Sequence, residues 1–366
     1  MASITWTAFK VVGATFTQLN DLQSINFTVN RANVQDPFRA SYFELSGRNP
    51  STLPTLAVGD SIMVKATYAG TDYYQSSNKV ADLQIDYGFT SNLDRWSLTL
   101  ENSLANAGRT VTTVSWPAGY TTYQAAADLC TAAGITLNST GLATRASSFV
   151  SAQTLTNANV LQTLQTLIQT EQGIIYGQES TNIQWLGRAE LDEAIPIAEF
   201  NDGTLAATPF VTQLKFDNIQ FAGIADNFAT KVVVEPDGLA SQSSGTGSRI
   251  FTLNSFDQTT SQAADLAGFV KSTLDQSDDV PYTVGATLSE QNNFTLLALV
   301  LGSDIGGFVN VVLRGVRYQA VVNGATVSAD PSDTRVLLNL ISASVYNFFR
   351  LDSAIYGILD TSKLGF

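Results

Sequence analysis

Few residues of this sequence have types and spacings suited to covalent or acid–base chemistry. Ser76, Ser77, Asn78 and Lys79 give the Ser-x-x-Lys spacing in which a lysine amine takes a proton from a serine hydroxyl, but its companion motifs are missing. A turn at a strand edge is the plainer reading of that stretch. The densest acidic group is Glu190, Asp192 and Glu193; Asp278 and Asp279 form another. Glycoside cleavage needs only two carboxyl groups, one acting as acid and one as nucleophile or base. The 190–193 cluster is therefore the one candidate for a cell-wall glycan hydrolase, although neighbouring carboxylates in a turn-like segment ordinarily form a solvated face. There is no Gly-x-Ser-x-Gly elbow, phosphate-binding glycine loop or calcium-loop pattern. The sequence assigns no catalytic, cofactor-binding or metal-binding residue, and no cofactor is expected.

The chain has no histidine, which removes the commonest general base and the commonest transition-metal ligand. Its one cysteine, Cys130, can form neither an internal disulfide nor a thiolate metal site and reads as buried filler on an apolar helix. The first ten residues lack the apolar core of a secretory signal. Without such a signal the Asn-x-Thr sequons at Asn26, Asn138 and Asn293 read as chance matches. The longest apolar run, at 295–302, falls far short of the ~18 residues of a spanning helix, so no membrane insertion is expected.

Charged residues are only 14% of the chain, against about 25% in ordinary soluble domains. The surface must then be rich in Ser, Thr, Asn and Gln, which are cheap to desolvate and suit packing against other subunits. Net charge is −13, and the densest basic pair is Arg314 with Arg317. Gripping DNA requires a basic stripe, which is missing. An acidic surface suits a passage through which DNA slides without sticking.

The elements fall into four segments. Residues 1–109 alternate apolar and polar positions, as with Ile25, Phe27 and Val29, and read as five or more short strands. In 110–208 a helix begins at the capping-box pair Thr121 and Gln124 and stops at Gly134. A second helix is expected over 156–172, with Val160, Leu161, Leu164, Leu167 and Ile168 as its apolar stripe and Gly173 as its stop. Residues 209–345 return to strands, with an insertion at about 236–280. That insertion holds a loop expected to be flexible at 239–248 and a helix capped by Thr259 and Gln262. Residues 346–366 form a C-terminal extension.

The block from Phe348 to Phe366 (FFRLDSAIYGILDTSKLGF) resembles the ending of minor tail proteins of actinobacterial phages: an aromatic before Leu-Asp-Ser, then Gly-x-Leu-Asp, then Leu-Gly-aromatic. Near the N-terminus, FTVNRANVQDPFRASYFELSGRNP with VGDSIMVKATYAG and KVADLQIDYG looks like the first tube domain of the phage baseplate and tail-tip hub family. FDNIQFAGIADNFATKVVVE with SQAADLAGFVKSTL looks like that family's second tube domain and its inserted helix. The resemblance implies an α+β, mainly β fold: two β-barrel tube domains with α/β and helical insertions. It implies a homotrimer whose six barrels match a sixfold tail tube, assembled in the bacterial host's cytoplasm and resident in the virion. It also implies neighbouring phage tail proteins as partners and DNA in transit without specific binding. Tyr346, Phe348, Phe349, Tyr356 and Phe366 are the expected partner-binding anchors, unless they pack on their own subunit. A receptor-binding tail protein is the third reading beside the hub and the hydrolase.

Overall fold

Period-two alternation sets the first run of elements: β1 (Thr5–Val12), β2 (Thr15–Gln18), β3 (Leu22–Asn30), β4 (Tyr42–Arg48), β5 (Ser61–Tyr68), β6 (Thr71–Asp86) and β7 (Arg95–Glu101). In β4 the buried residues are Phe43, Leu45 and Gly47, every second position, as a sheet with one core-facing side requires. The structure, a computed structural model, describes residues 4–30, 42–68, 70–90, 93–139, 148–177, 180–188, 191, 196–223, 229–274, 282–289 and 305–342. The α/β stretch then runs α1 (Ser103–Arg109), β8 (Val111–Trp116), α2 (Thr122–Ala132), β9 (Thr136–Ser139), β10 (Gln153–Asn159), α3 (Val160–Glu171), β11 (Ile174–Gly177) and β12 (Asn182–Leu186). The remainder comprises β13 (Ala198–Asn201), β14 (Thr212–Leu214), β15 (Asn218–Gly223), β16 (Lys231–Pro236), β17 (Gln242–Gly245), β18 (Ile250–Ser255), α4 (Thr260–Thr273), β19 (Tyr282–Ser289), β20 (Phe308–Leu313), β21 (Val316–Ala329) and β22 (Thr334–Ser342).

Strand pairing makes two series. The first is β3-β4-β7-β6-β5-β1-β2, antiparallel throughout; the second is β14-β13-β20-β21-β22-β19-β15. They join where β3, at the edge of the first series, pairs with the C-terminal half of β21 inside the second, Phe27 opposite Val327, giving one 14-stranded sheet. The fold is mostly β with a few helices, and among the described residues no pairing closes a barrel. One apolar cluster runs from Ile25, Phe27 and Trp96 through Leu164 and Trp185 to Val311 and Leu338. A smaller core, including Val232, Leu253, Leu266 and Val270, holds α4 on β16–β18.

Both capping boxes form: Thr121 Oγ1 accepts from the Gln124 amide, and Thr259 Oγ1 from the Gln262 amide, each at 3.2 Å. Two local expectations change. The second helix starts at Val160 rather than 156, because Asn159 caps it through the Gln162 amide and the residues before it pair as β10 with β8. Within 239–248, Gln242–Gly245 is strand β17, laid antiparallel on β16. Its Ser and Gly composition hid a pairing supplied by tertiary contact.

Candidate assembly interface

Ser76 lies inside β6, not in a turn. It is buried, and its Oγ accepts from Asn78 Nδ2 at 2.9 Å. Lys79 stands an odd number of residues away, so it points to the other face of the strand and donates to Ser61 Oγ at 2.9 Å. The Ser-x-x-Lys chemistry is thereby excluded. Cys130 is buried, and burial pushes its thiol up to about 12, so it stays protonated and inert. Glu190, Asp192, Glu193, Asp278 and Asp279 lie outside the described residues, as do Tyr346, Phe348, Phe349, Tyr356 and Phe366. Among the described residues no group of three or more Cys, Asp or Glu could hold a metal, and no helix is long and apolar enough to cross a membrane.

Of two buried carboxylates that the sequence did not single out, Glu171 ties the parts of the α/β stretch to one another and Asp257 joins that stretch to the later insertion. Glu171, at the end of α3, accepts from Thr122 Oγ1 at 2.7 Å, the Ser148 amide at 2.8 Å and the Arg188 amide at 3.3 Å. Burial nevertheless raises its pKa. Asp257 follows β18, bridges to Val150 and accepts from Ser255 Oγ at 2.7 Å. Burial pushes its carboxyl up to about 6 against the pull of that bond and of Arg188, and Asp265 adds to the rise. Neighbouring contacts complete the joint: the Phe256 amide donates to Thr170 Oγ1, Trp116 meets Phe256 edge-on, and the Arg188 guanidinium sits over the Phe269 ring.

Glu199, on β13, fastens the loop that follows. Its side chain has no exposed surface, and it faces Asn310 of β20 across a parallel pairing. Burial alone would raise its pKa. The Thr208 hydroxyl and amide, Asn201 and Asn310 outweigh that and hold the carboxyl down at about 2. Arg317 Nε pairs with Glu199 at 3.2 Å, and its Nη2 reaches Ala206 O at 2.7 Å. Asp202 accepts from the Thr204 and Arg314 amides, and the Gly315 amide donates to Thr204 Oγ1 at 2.7 Å. Arg314 and Gly315 both have positive φ, as a two-residue hairpin turn between β20 and β21 requires. The loop 202–208 is thus tied to that turn at several points.

At the end of this loop the sequence Thr208-Pro209-Phe210-Val211 closes a turn, with the Val211 amide on Thr208 O. Pro at the second position and a positive φ at the third follow the type II pattern, whose third position favours Gly or Asn. Here it is Phe210, at φ 63°, with its side chain fully exposed. Phe89, Tyr87 and Val58 are further exposed apolar residues on other turns. At the far end of β21 a cleft of about 210 Å³ is lined by apolar Ile4, Trp6, Leu22, Ile25, Ala329 and Pro331 and by polar Thr5, Gln23, Ser24 and Asp330. Trp6 is fixed there by Nε1 donating to Thr334 Oγ1 at 3.1 Å and by its edge contact with Phe27.

No protein-family model matches the chain, and no curated protein matches it. Solved structures do. A tail protein from Neisseria meningitidis MC58 is 13% identical, with 93% of this chain and 98% of that one covered at a TM-score of 0.64. The 43 kDa tail protein of prophage MuSo2 from Shewanella oneidensis is 10% identical, with 93% and 100% covered at 0.61. The E. coli c3393 protein, described as a type VI secretion component similar to T4 tail proteins gp27 and gp5, is 9% identical, with 88% and 73% covered at 0.51. At such identities the likeness is one of fold. Nearly end to end, this chain has the fold of proteins from phage tails.

Proposed function

We propose that the chain is a structural, non-enzymatic subunit of a phage tail tip: a hub that joins the tail tube to the host-recognition apparatus and lines the DNA passage. The observation that carries this reading is the likeness of fold to the Neisseria tail protein, which leaves almost nothing of either chain uncovered. A catalytic domain added to a shared scaffold would leave a large unmatched segment, and a gripping or receptor-binding module would do the same. In this reading 1–109 and 209–345 are two tube domains, each curled towards a barrel, and β13 (Ala198–Asn201) from the stretch between them adds a strand to the second. The 110–208 stretch and the insertion at about 236–280 are appended to them. Three copies form a ring in the virion tail, where net charge −13 per chain keeps DNA from adhering. The aromatics of 346–366 contact a neighbouring tail protein, in keeping with the resemblance to minor tail proteins of actinobacterial phages.

Light scattering of the purified chain over a range of concentrations tests the proposal. A species near three times 39.1 kDa, with no retention of duplex DNA at physiological salt, is the expected result. A chain that stays monomeric at every concentration overturns the ring. Clearing of bacterial cell walls that disappears in Glu190→Gln overturns the non-enzymatic reading.

A further inference from the structure

We infer that the outward face shared by β6, β7, β4, β3, β21 and β22 lines the bore of the ring and is the surface along which duplex DNA slides. This rests on the proposed ring and assigns the face that its bore presents. The strand registers set the side chains of this face in rows. One row crosses all six strands, with Asp82, Thr99, Glu44, Asn26, Ser328 and Arg335 standing opposite one another in turn. Gln84, Ser97, Ser46 and Ser24 make the row on one side of it, and Thr28, Thr326 and Leu337 a row on the other. Residues directly opposite share a face, and the positions between them alternate to the core, where Leu45, Leu98 and Val327 are buried. Thr28, Glu44, Gln84, Ser97 and Ser328 are all exposed. The hydroxyls of Ser24 and Ser46 hydrogen-bond at 2.6 Å, and those of Thr28 and Thr326 at 3.1 Å across the junction of the two series. The two proposed tube domains therefore present one polar surface that runs through the seam between them.

Charge sets this face apart from the rest of the chain. Its carboxylates Glu44, Asp82 and Asp86 are matched by Arg48, Arg95 and Arg335, and Arg335 is also held by Asp333 in the adjoining turn. Lys79 and Glu101, opposite each other at the margin, cancel likewise. The face thus carries none of the excess that gives the chain a net charge of −13. Holding a duplex takes spare cations that displace its counterions, about 6–10 phosphate contacts in a tight complex. Arginines cancelled by carboxylates leave none to spare. A strongly acidic face would oppose entry of a polyanion, and a neutral one neither holds nor repels it.

The same face is a poor match for another protein. Interface cores are enriched in aromatic residues and depleted in Ser, Asp and Glu. Only Tyr42 and Leu337 are large, apolar and exposed here, and β3 and β21 stand between their strands. The most exposed aromatics sit off the face on turns, Phe89 between β6 and β7 and Phe210 before β14.

The full chain carrying Thr28→Arg, Ser97→Arg and Ser328→Arg together tests the assignment. A ring of three copies would then hold nine new arginines, within the range of a tight phosphate contact set of about 6–10. The preassembled oligomer is offered linear duplex DNA, and the same DNA as a covalently closed circle, at about 50 mM salt, where phosphate contacts are strong. A linear duplex threads a closed ring by its end, and a closed circle cannot. The wild type should retain neither. The variant should assemble as the wild type does and retain the linear form at least tenfold more tightly than the circle. Ser97→Cys gives a second readout: because Cys130 is buried and inert, a small maleimide should label Cys at 97 alone, as fast in the oligomer as in the dilute chain. Equal retention of both DNA forms puts the face outside the ring. Retention of neither form by the variant, or of linear DNA by the wild type, denies that the face is a neutral slide. Assembly lost in the variant, or a thiol shielded on assembly, makes the face a subunit contact. Each of these overturns the assignment and leaves the proposed function standing. A wild type that is monomeric throughout overturns both.

Discussion

Glu199 and Asp257 are both carboxylates removed from water, and their surroundings drive them in opposite directions. Glu199 is held at about 2 by hydrogen bonds given to its ionised form. A folded-state pKa below the unfolded value means stability that is present above the usual carboxylate range and lost as pH falls through it. At pH 7, Glu199→Gln should cost about 1–3 kcal/mol; the lower figure allows for solvent screening of the Arg317 partner. Urea unfolding should show that loss shrinking between pH 4.5 and 2, and a loss independent of pH would mean the charge contributes nothing. Asp257 is raised to about 6 because burial disfavours its ion. Its penalty is absent below the unfolded value near 3.8, grows as pH rises, and is complete above about 6. Asp257→Asn should therefore stabilise the protein at pH 7.5 by roughly 1–3 kcal/mol and change little at pH 3.5. A thermal shift of the same size at both pH values would contradict that account.

Elements differ in how far their own residues specify them, and the capping boxes mark one extreme. Thr259 Oγ1 meets the Gln262 amide at 3.2 Å, while Gln262 Oε1 accepts from the Thr259 amide at 3.1 Å. Thr259→Ala should cost ~1 kcal/mol. Because α4 packs in the small core on β16–β18, the loss should show as faster hydrogen exchange confined to 231–273, with the large core unchanged. Uniform acceleration across the chain would mean that the two cores unfold together. Such caps were legible because donor and acceptor lie within four residues, and the alternating strands of 1–109 were legible for the same local reason. What stayed hidden depends on distant partners. Thr122 and Glu171 are 49 positions apart, and Arg317 and Glu199 are 118 apart. Nothing near Glu199 marks it as an ionised anchor. Phe210 could have been found: Thr-Pro before an aromatic signals a turn, but only the positive φ shows an aromatic where glycine is usual. The parallel pairings β13–β14 and β16–β18 have no hairpin turn to announce them.

The molecule is built on a 14-stranded sheet whose two series meet at β3 and β21, and in the proposed ring it has to associate with copies that carry the same sign of charge. Which force sets the salt dependence of a ring can be decided by magnitude. Two charges of −13 about 40 Å apart in water repel by roughly 18 kcal/mol unscreened, and if about a tenth survives screening near 0.1 M salt, some 2 kcal/mol opposes each contact. Arginines meeting aspartates at a solvated rim return about 0.2–1 kcal/mol per pair. Each large apolar side chain fully buried between copies contributes about 1.5–3 kcal/mol, insensitive to screening. Repulsion thus exceeds the rim attraction, and it is the larger of the two salt-sensitive terms. Raising NaCl from about 0.1 M to about 1 M shortens the screening length from about 10 Å to about 3 Å and removes most of it. The half-assembly concentration read by light scattering should fall over that range. If salt instead dissolves the oligomer, opposite charges rather than apolar burial hold the copies together.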